Sequence, residues 1–82
     1  MNVSFAPHFK ERLSKLTVEV QNKFEKQIEF LLRNLRYPSL QAKRYGGVKD
    51  LWQARIDREF RFYFLIKEGT YYLVDIRKHA SG

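Results

Sequence analysis

The sequence contains no cysteine. That removes a disulfide framework and any thiolate metal site, and it fits a reducing compartment. No apolar run approaches the length that crosses a bilayer. The opening segment MNVSFAPHFK lacks a basic region followed by a long apolar stretch, so a signal peptide is not expected. A soluble, cytoplasmic protein is the expectation. Proline occurs twice and glycine four times, and neither clusters into a linker or a low-complexity tract. The two histidines, His8 and His79, lie far apart, so no metal site is expected; no cofactor is expected either.

What is present is aromatic and basic. The 82 residues are 44% hydrophobic and 16% aromatic, enough for one small domain over 1–82 with its own core. Sixteen Lys and Arg against nine Asp and Glu give a net charge of +7. Residues 1–41 carry seven basic and four acidic side chains, and residues 42–82 carry nine and five. The excess is spread along a folded chain rather than held in a tail, and it favours anionic partners such as nucleic acid, a ribosome or an acidic protein.

Asn2 to Phe5 has room for a short strand. Pro7 suits the first position of a helix, where its missing N–H costs nothing. Phe9, Leu13 and Leu16 then share one helical face. Thr17 is placed to cap a second helix, with Glu19 in its first turn. Phe24, Ile28, Leu31, Leu32 and Leu35 form an apolar stripe with a period near 3.6, and Pro38 terminates it. Phe30, off that stripe, is expected against the neighbouring helix. SLQAKRYGGVKD, residues 39–50, reads as a polar connection.

Beyond it the period changes to two. Apolar side chains occupy even positions from Trp52 to Ile76, and mostly polar ones occupy odd positions. Three strands, near 51–56, 60–66 and 70–77, therefore share one parity, with the even face against the helices. The expected class is α+β: a short N-terminal strand, a two-helix hairpin and a three-stranded antiparallel sheet.

Shared parity requires hairpin loops with an odd number of residues. A loop at Asp57-Arg58-Glu59 sets Arg55 opposite Arg61. A loop at Lys67-Glu68-Gly69, with glycine where a left-handed residue is needed, sets Ile66 opposite Thr70 and Arg61 opposite Asp75. Two arginines facing each other repel by a few tenths to about 1 kcal/mol. Either they belong to a solvated charge ladder offset by Asp75, or they await an anion. Arg77 and His79 continue the odd face, and Tyr63 and Tyr71 add aromatic surface, so this face can bind a phosphate and stack a base.

The stretches GG-VKDLWQARID-REFRFYFLI and DIRKH, in a chain ordered strand, two helices, sheet, resemble the RelE/ParE superfamily of toxins from type II toxin–antitoxin modules. The similarity covers nearly the whole chain, although its motifs are degenerate and element order contributes as much as any residue. RelE-type members are ribosome-dependent endoribonucleases that cut mRNA in the A site. The resemblance implies that Arg61 contacts the scissile phosphate, that Arg55 stabilises charge beside it, and that His79 is a candidate general acid. Lys43, Arg44 and Lys49 are expected to neutralise phosphates of the RNA, with Arg77 and Tyr63 also on the RNA-binding face. Lys10, Arg12, Lys15, Lys23 and Lys26 would extend the basic surface.

The departures are specific. Gln53 stands where some relatives have a lysine thought to act in proton transfer. No glutamate base has a counterpart near Pro38 to Leu40. Only Ala80, Ser81 and Gly82 follow His79, so the C-terminal tyrosine of several relatives is absent. Tyr63, Asp75 and a lysine of the 43–49 loop remain alternatives for the base. The implied partners are a cognate antitoxin, whose inhibitory segment would be acidic, together with the ribosome and its mRNA. Two other functions are compatible with the pattern. One is the ParE branch, which poisons DNA gyrase without nuclease activity. The other is a non-catalytic RNA-binding module.

Overall fold

The computed structural model describes residues 1–47 and 49–79. Strand β1 (Asn2–Phe5) leads into helix α1 (Pro7–Ser14) and helix α2 (Val18–Arg33), followed by a 3₁₀ turn over Pro38–Leu40. Four strands complete the chain: β2 (Lys43–Arg44), β3 (Leu51–Arg55), β4 (Phe60–Lys67) and β5 (Thr70–Lys78).

The helix boundaries follow from local chemistry. Pro7 occupies the first turn of α1. The Val20 N–H donates to the Thr17 hydroxyl at 3.2 Å, capping α2. That helix ends at Arg33, earlier than Pro38, because Asn34 is extended and its side-chain oxygen accepts the Arg36 N–H at 2.9 Å instead.

The expected α+β class holds, but the sheet has five strands, in the order β1-β5-β4-β3-β2. β1 joins β5 in parallel, and β2, inside the segment expected to be a plain connection, adds an antiparallel edge to β3.

The helices cover one face of the sheet. Phe9 and Phe24 meet with ring centroids 5.4 Å apart, and Phe24 meets Phe62 edge-on at 5.5 Å. Phe9, Leu31, Leu40, Phe62, Phe64 and Leu73 are fully buried. At roughly 1.5–3 kcal/mol per buried large side chain, this cluster supplies most of the driving force. Leu32 departs from its expected stripe and is exposed. The position on the inner face belongs to Gln27, which is buried. Phe30 stacks on Tyr37 with ring centroids 4.0 Å apart and packs against the core.

The shared parity breaks in β5. Tyr63 pairs with Asp75, but Phe64 pairs with Leu73, which leaves Val74 as an extra, bulged residue. Beyond it, Tyr71 and Leu73 are buried and Tyr72 is exposed, the reverse of the even-inward expectation. The bulge also changes the β4–β5 turn. Lys67 pairs with Thr70, leaving Glu68 and Gly69 with φ of 47° and 71°. Two consecutive positive φ values define a type I′ hairpin turn rather than a three-residue loop.

Candidate functional site

The face of the sheet opposite the helices is the one that carries the arginines. Arg55 on β3 lies opposite Arg61 on β4, as the loop arithmetic requires. The Ile56 N–H donates to the Phe60 carbonyl at 2.9 Å, and Asp57 Oδ1 accepts the N–H groups of Glu59 and Phe60 at 2.8 and 2.9 Å. This Asx-type turn holds the two arginines in register.

Arg61 does not face Asp75. Because of the Val74 bulge its partner on β5 is Arg77, so Arg55, Arg61 and Arg77 form a continuous row across three strands. Among the described residues, neither Arg55 nor Arg61 has an acidic side chain within 4.0 Å. Neighbouring strands lie about 4.8 Å apart, so three like charges sit side by side at a cost that a bound anion would offset.

Arg77 does have a partner. Its Nε donates to Asp75 Oδ2 at 2.9 Å, and Arg12 of α1 reaches the other Asp75 oxygen at 3.4 Å. The Ile76 N–H also donates to Asp75, at 2.9 Å. Burial pushes the Asp75 carboxyl up, but the bonds from Arg77 and Ile76 and the Arg12 charge outweigh it, so the group titrates below its ordinary value. The hydrogen bond to Asp75 in turn raises Arg77. Asp75 occupies Nε and leaves the two terminal nitrogens of Arg77 without a partner among the described residues.

The next row along this face is Lys43, Gln53, Tyr63 and Asp75. Burial raises the Tyr63 hydroxyl, and Tyr45 adds to the effect against the opposing charges of Arg61 and Arg77. Tyr63 is therefore a neutral hydrogen-bonding ring at neutral pH rather than a phenolate base. Asp75, ionised and engaged by two guanidiniums, is a weak one.

His79 is exposed at the end of β5, and its N–H donates to the Glu59 carbonyl. It lies immediately beyond the last residue of β5, two positions after Arg77. Lys43 and Arg44 diverge. Lys43 belongs to the open face, whereas Arg44 pairs with Trp52 on the helix side and lies over its ring at 5.5 Å. Arg44 also pairs with Asp50 at 3.7 Å, which separates it from the row. Lys49 is exposed in the turn between β2 and β3.

Two contributors escaped the sequence reading. Tyr45 lies edge-on to Tyr63 with ring centroids 5.3 Å apart, and its N–H donates to the Leu51 carbonyl at 2.7 Å. Its placement depends on β2, whose two residues are too few to leave a periodic signal. Gln27 was hidden in a helix otherwise read through its apolar stripe. Its amide donates to the carbonyls of Ser39 and Arg55 at 3.0 and 2.7 Å, and it accepts from the Ser39 hydroxyl at 2.9 Å.

No family model and no curated protein matches this sequence. Solved structures do match. A YoeB/ParE toxin from Agrobacterium tumefaciens superposes with a TM-score of 0.81 over 96% of this chain and 99% of its own, at 15% identity. The chain has the RelE/ParE toxin fold. A YoeB dimer from Staphylococcus aureus gives a TM-score of 0.80 over 96% and 97% of the two chains, at 14% identity. In the archaeal RelE–RelB complex from Pyrococcus horikoshii the value is 0.77, over 99% and 97%, also at 14% identity. Within this RelE/ParE fold the open sheet face is the surface the helices leave uncovered. Among the described residues no helix is long and apolar enough to cross a membrane, and no group of three His, Cys, Asp or Glu could hold a metal ion.

Proposed function

We propose that this chain is the toxin of a type II toxin–antitoxin module and acts as a ribosome-dependent endoribonuclease that cuts mRNA in the A site. The observation that carries the reading is the row Arg55–Arg61–Arg77, in which two adjacent arginines have no acidic partner among the described residues. The RelE/ParE fold supports it.

The reaction is an internal transesterification. The substrate 2′-oxygen forms a bond to the adjacent phosphorus as the bond from phosphorus to the 5′-oxygen breaks, leaving a 2′,3′-cyclic phosphate and a 5′-hydroxyl. It needs a base for the 2′-hydroxyl proton, positive charge around the phosphorane and an acid for the leaving oxygen. Residues of this chain supply the second and third. The forked guanidiniums of Arg55 and Arg61 span phosphoryl oxygens and stay charged. His79, two residues beyond Arg77, donates the proton to the leaving 5′-oxygen. Lys43, Lys49 and Arg77 neutralise flanking phosphates. Arg44 belongs to the ribosome-facing rim, and Tyr63 to the base-contacting wall.

The partners are then the ribosome with its mRNA and a cognate antitoxin. Solved complexes of the same fold pair RelE with RelB and YoeB with YefM. An acidic antitoxin segment laid over the arginine row would silence it by meeting the same charges.

The test is primer extension on mRNA in programmed ribosomes, beside ribosome-free RNA and Arg61→Ala. Cleavage at A-site codons on ribosomes alone, abolished in the variant, is the expected result. Intact message from a protein that still arrests growth and induces DNA damage signalling would replace this reading with a ParE-like gyrase poison.

A further inference from the structure

Beside the arginine row the open face contains a shallow concavity of about 250 Å³. That is smaller than the ~300–1,000 Å³ of pockets for drug-sized molecules and matches a single planar ring system. Its walls are aromatic and aliphatic: Tyr45, Tyr63, Leu51 and the bulged Val74. Asp75 and Arg77 form its polar side. The two tyrosine rings stand at 90° to one another, so they do not stack on each other's faces. Tyr45 is 40% exposed, one of the few large hydrophobic side chains left in solvent.

The wall is contiguous with the charge. Arg77 belongs both to the row and to the concavity. Tyr63 lies two residues from Arg61 on the same strand and face, about 7 Å away. That is the scale of one nucleotide. A phosphate on the row would bring its own base against the tyrosines.

We propose that the concavity bounded by Tyr45, Leu51, Tyr63 and Val74 is a nucleobase subsite, holding the base of a nucleotide whose phosphate lies on the arginine row. The proposal rests on the RNA-binding part of the functional reading above. Stacking on a tyrosine accepts any base, since every base has a π-face. The Tyr45 ring is the principal surface, because it is the more exposed of the two. The subsite therefore adds affinity for nucleotides over bare phosphate rather than sequence preference.

The test compares two uncleavable ligands of equal charge by fluorescence anisotropy with the full-length protein. One is a 2′-O-methyl RNA hexamer, and the other is the same backbone without bases. The wild-type protein is expected to bind the base-bearing strand roughly tenfold more tightly. Tyr45→Leu should bring the two affinities together while leaving abasic binding unchanged, and Tyr45→Phe should retain the difference. Arg61→Ala should weaken both strands alike. Equal binding of the two strands by the wild type, or a difference that survives Tyr45→Leu, overturns the subsite and leaves the nuclease reading standing. Failure to bind either strand overturns the subsite on the free protein, while the ribosome-dependent reading stands or falls by primer extension.

Discussion

The side-chain amide of Gln27 donates to the carbonyl of Arg55 at 2.7 Å, across 28 positions of sequence. It ties the middle of α2 to the last residue of β3, where the arginine row begins. The same side chain exchanges hydrogen bonds with Ser39, so the 3₁₀ turn, the helix and the sheet meet at one buried polar group. Nearly all of its bonding capacity is used internally.

Replacing it with an apolar residue of similar size should be costly. Gln27→Leu strands the carbonyls of Ser39 and Arg55 and the Ser39 hydroxyl, at about 1–3 kcal/mol. Urea unfolding should show a lower midpoint with an unchanged slope. In a chain of this size, a melting temperature lower by roughly 4–8 °C per kcal/mol should accompany it.

Asp75 predicts the behaviour in acid. Its pKa is lower folded than unfolded, so the native state favours the ionised form. The associated stability is present above the ordinary carboxylate pKa of about 3.9 and is lost as pH falls through the lower folded value. Asp75→Asn keeps the shape and removes the titration. Below about pH 4 its stability should fall less steeply than that of the wild type, measured by thermal melts at stepped pH.

The alkaline limb has the opposite sign. Burial raises the Tyr71 hydroxyl, so the folded state favours its neutral form. That stability is complete below the unfolded tyrosine pKa of about 10 and is lost as pH rises through the folded one. Tyr71→Phe should flatten the decline in melting temperature above about pH 10.

The Val74 bulge can be tested by deletion. Without the extra residue, β5 cannot bury Tyr71 and Leu73 while also keeping Arg77 beside Arg61. Expelling two buried side chains costs on the order of 3–5 kcal/mol or more. The deletion variant should lose its near-ultraviolet circular dichroism, whereas Val74→Ala should retain it.

The arginine row predicts a salt dependence. For single-stranded nucleic acid, the logarithm of affinity falls by roughly 0.7 per contacted phosphate for each logarithmic unit of salt. Arg61→Ala and Arg77→Ala should each lower that slope by about 0.7 if each arginine holds one phosphate. Arg44→Ala should change it little, because that side chain lies over Trp52 on the other face.

Local interactions made much of the molecule legible before folding. Thr17, Pro7 and the Phe24–Leu31 spacing act within a few residues, so the two helices could be read directly. The Asp57 turn is equally local, and with it the pairing of Arg55 and Arg61. Tertiary structure decided the rest. A bulge leaves no mark in an alternating pattern when the bulged residue is an aliphatic like its neighbours. Val74 therefore passed as an inward-facing position, and Arg77 was placed one pairing away from Arg61. The parallel pairing of β1, the two-residue β2 that carries Tyr45 to Tyr63, and the Gln27 bonds join segments far apart in sequence. Short-range chemistry specifies the elements. Which side chains meet on the open face depends on register, and register is chosen by the core as a whole.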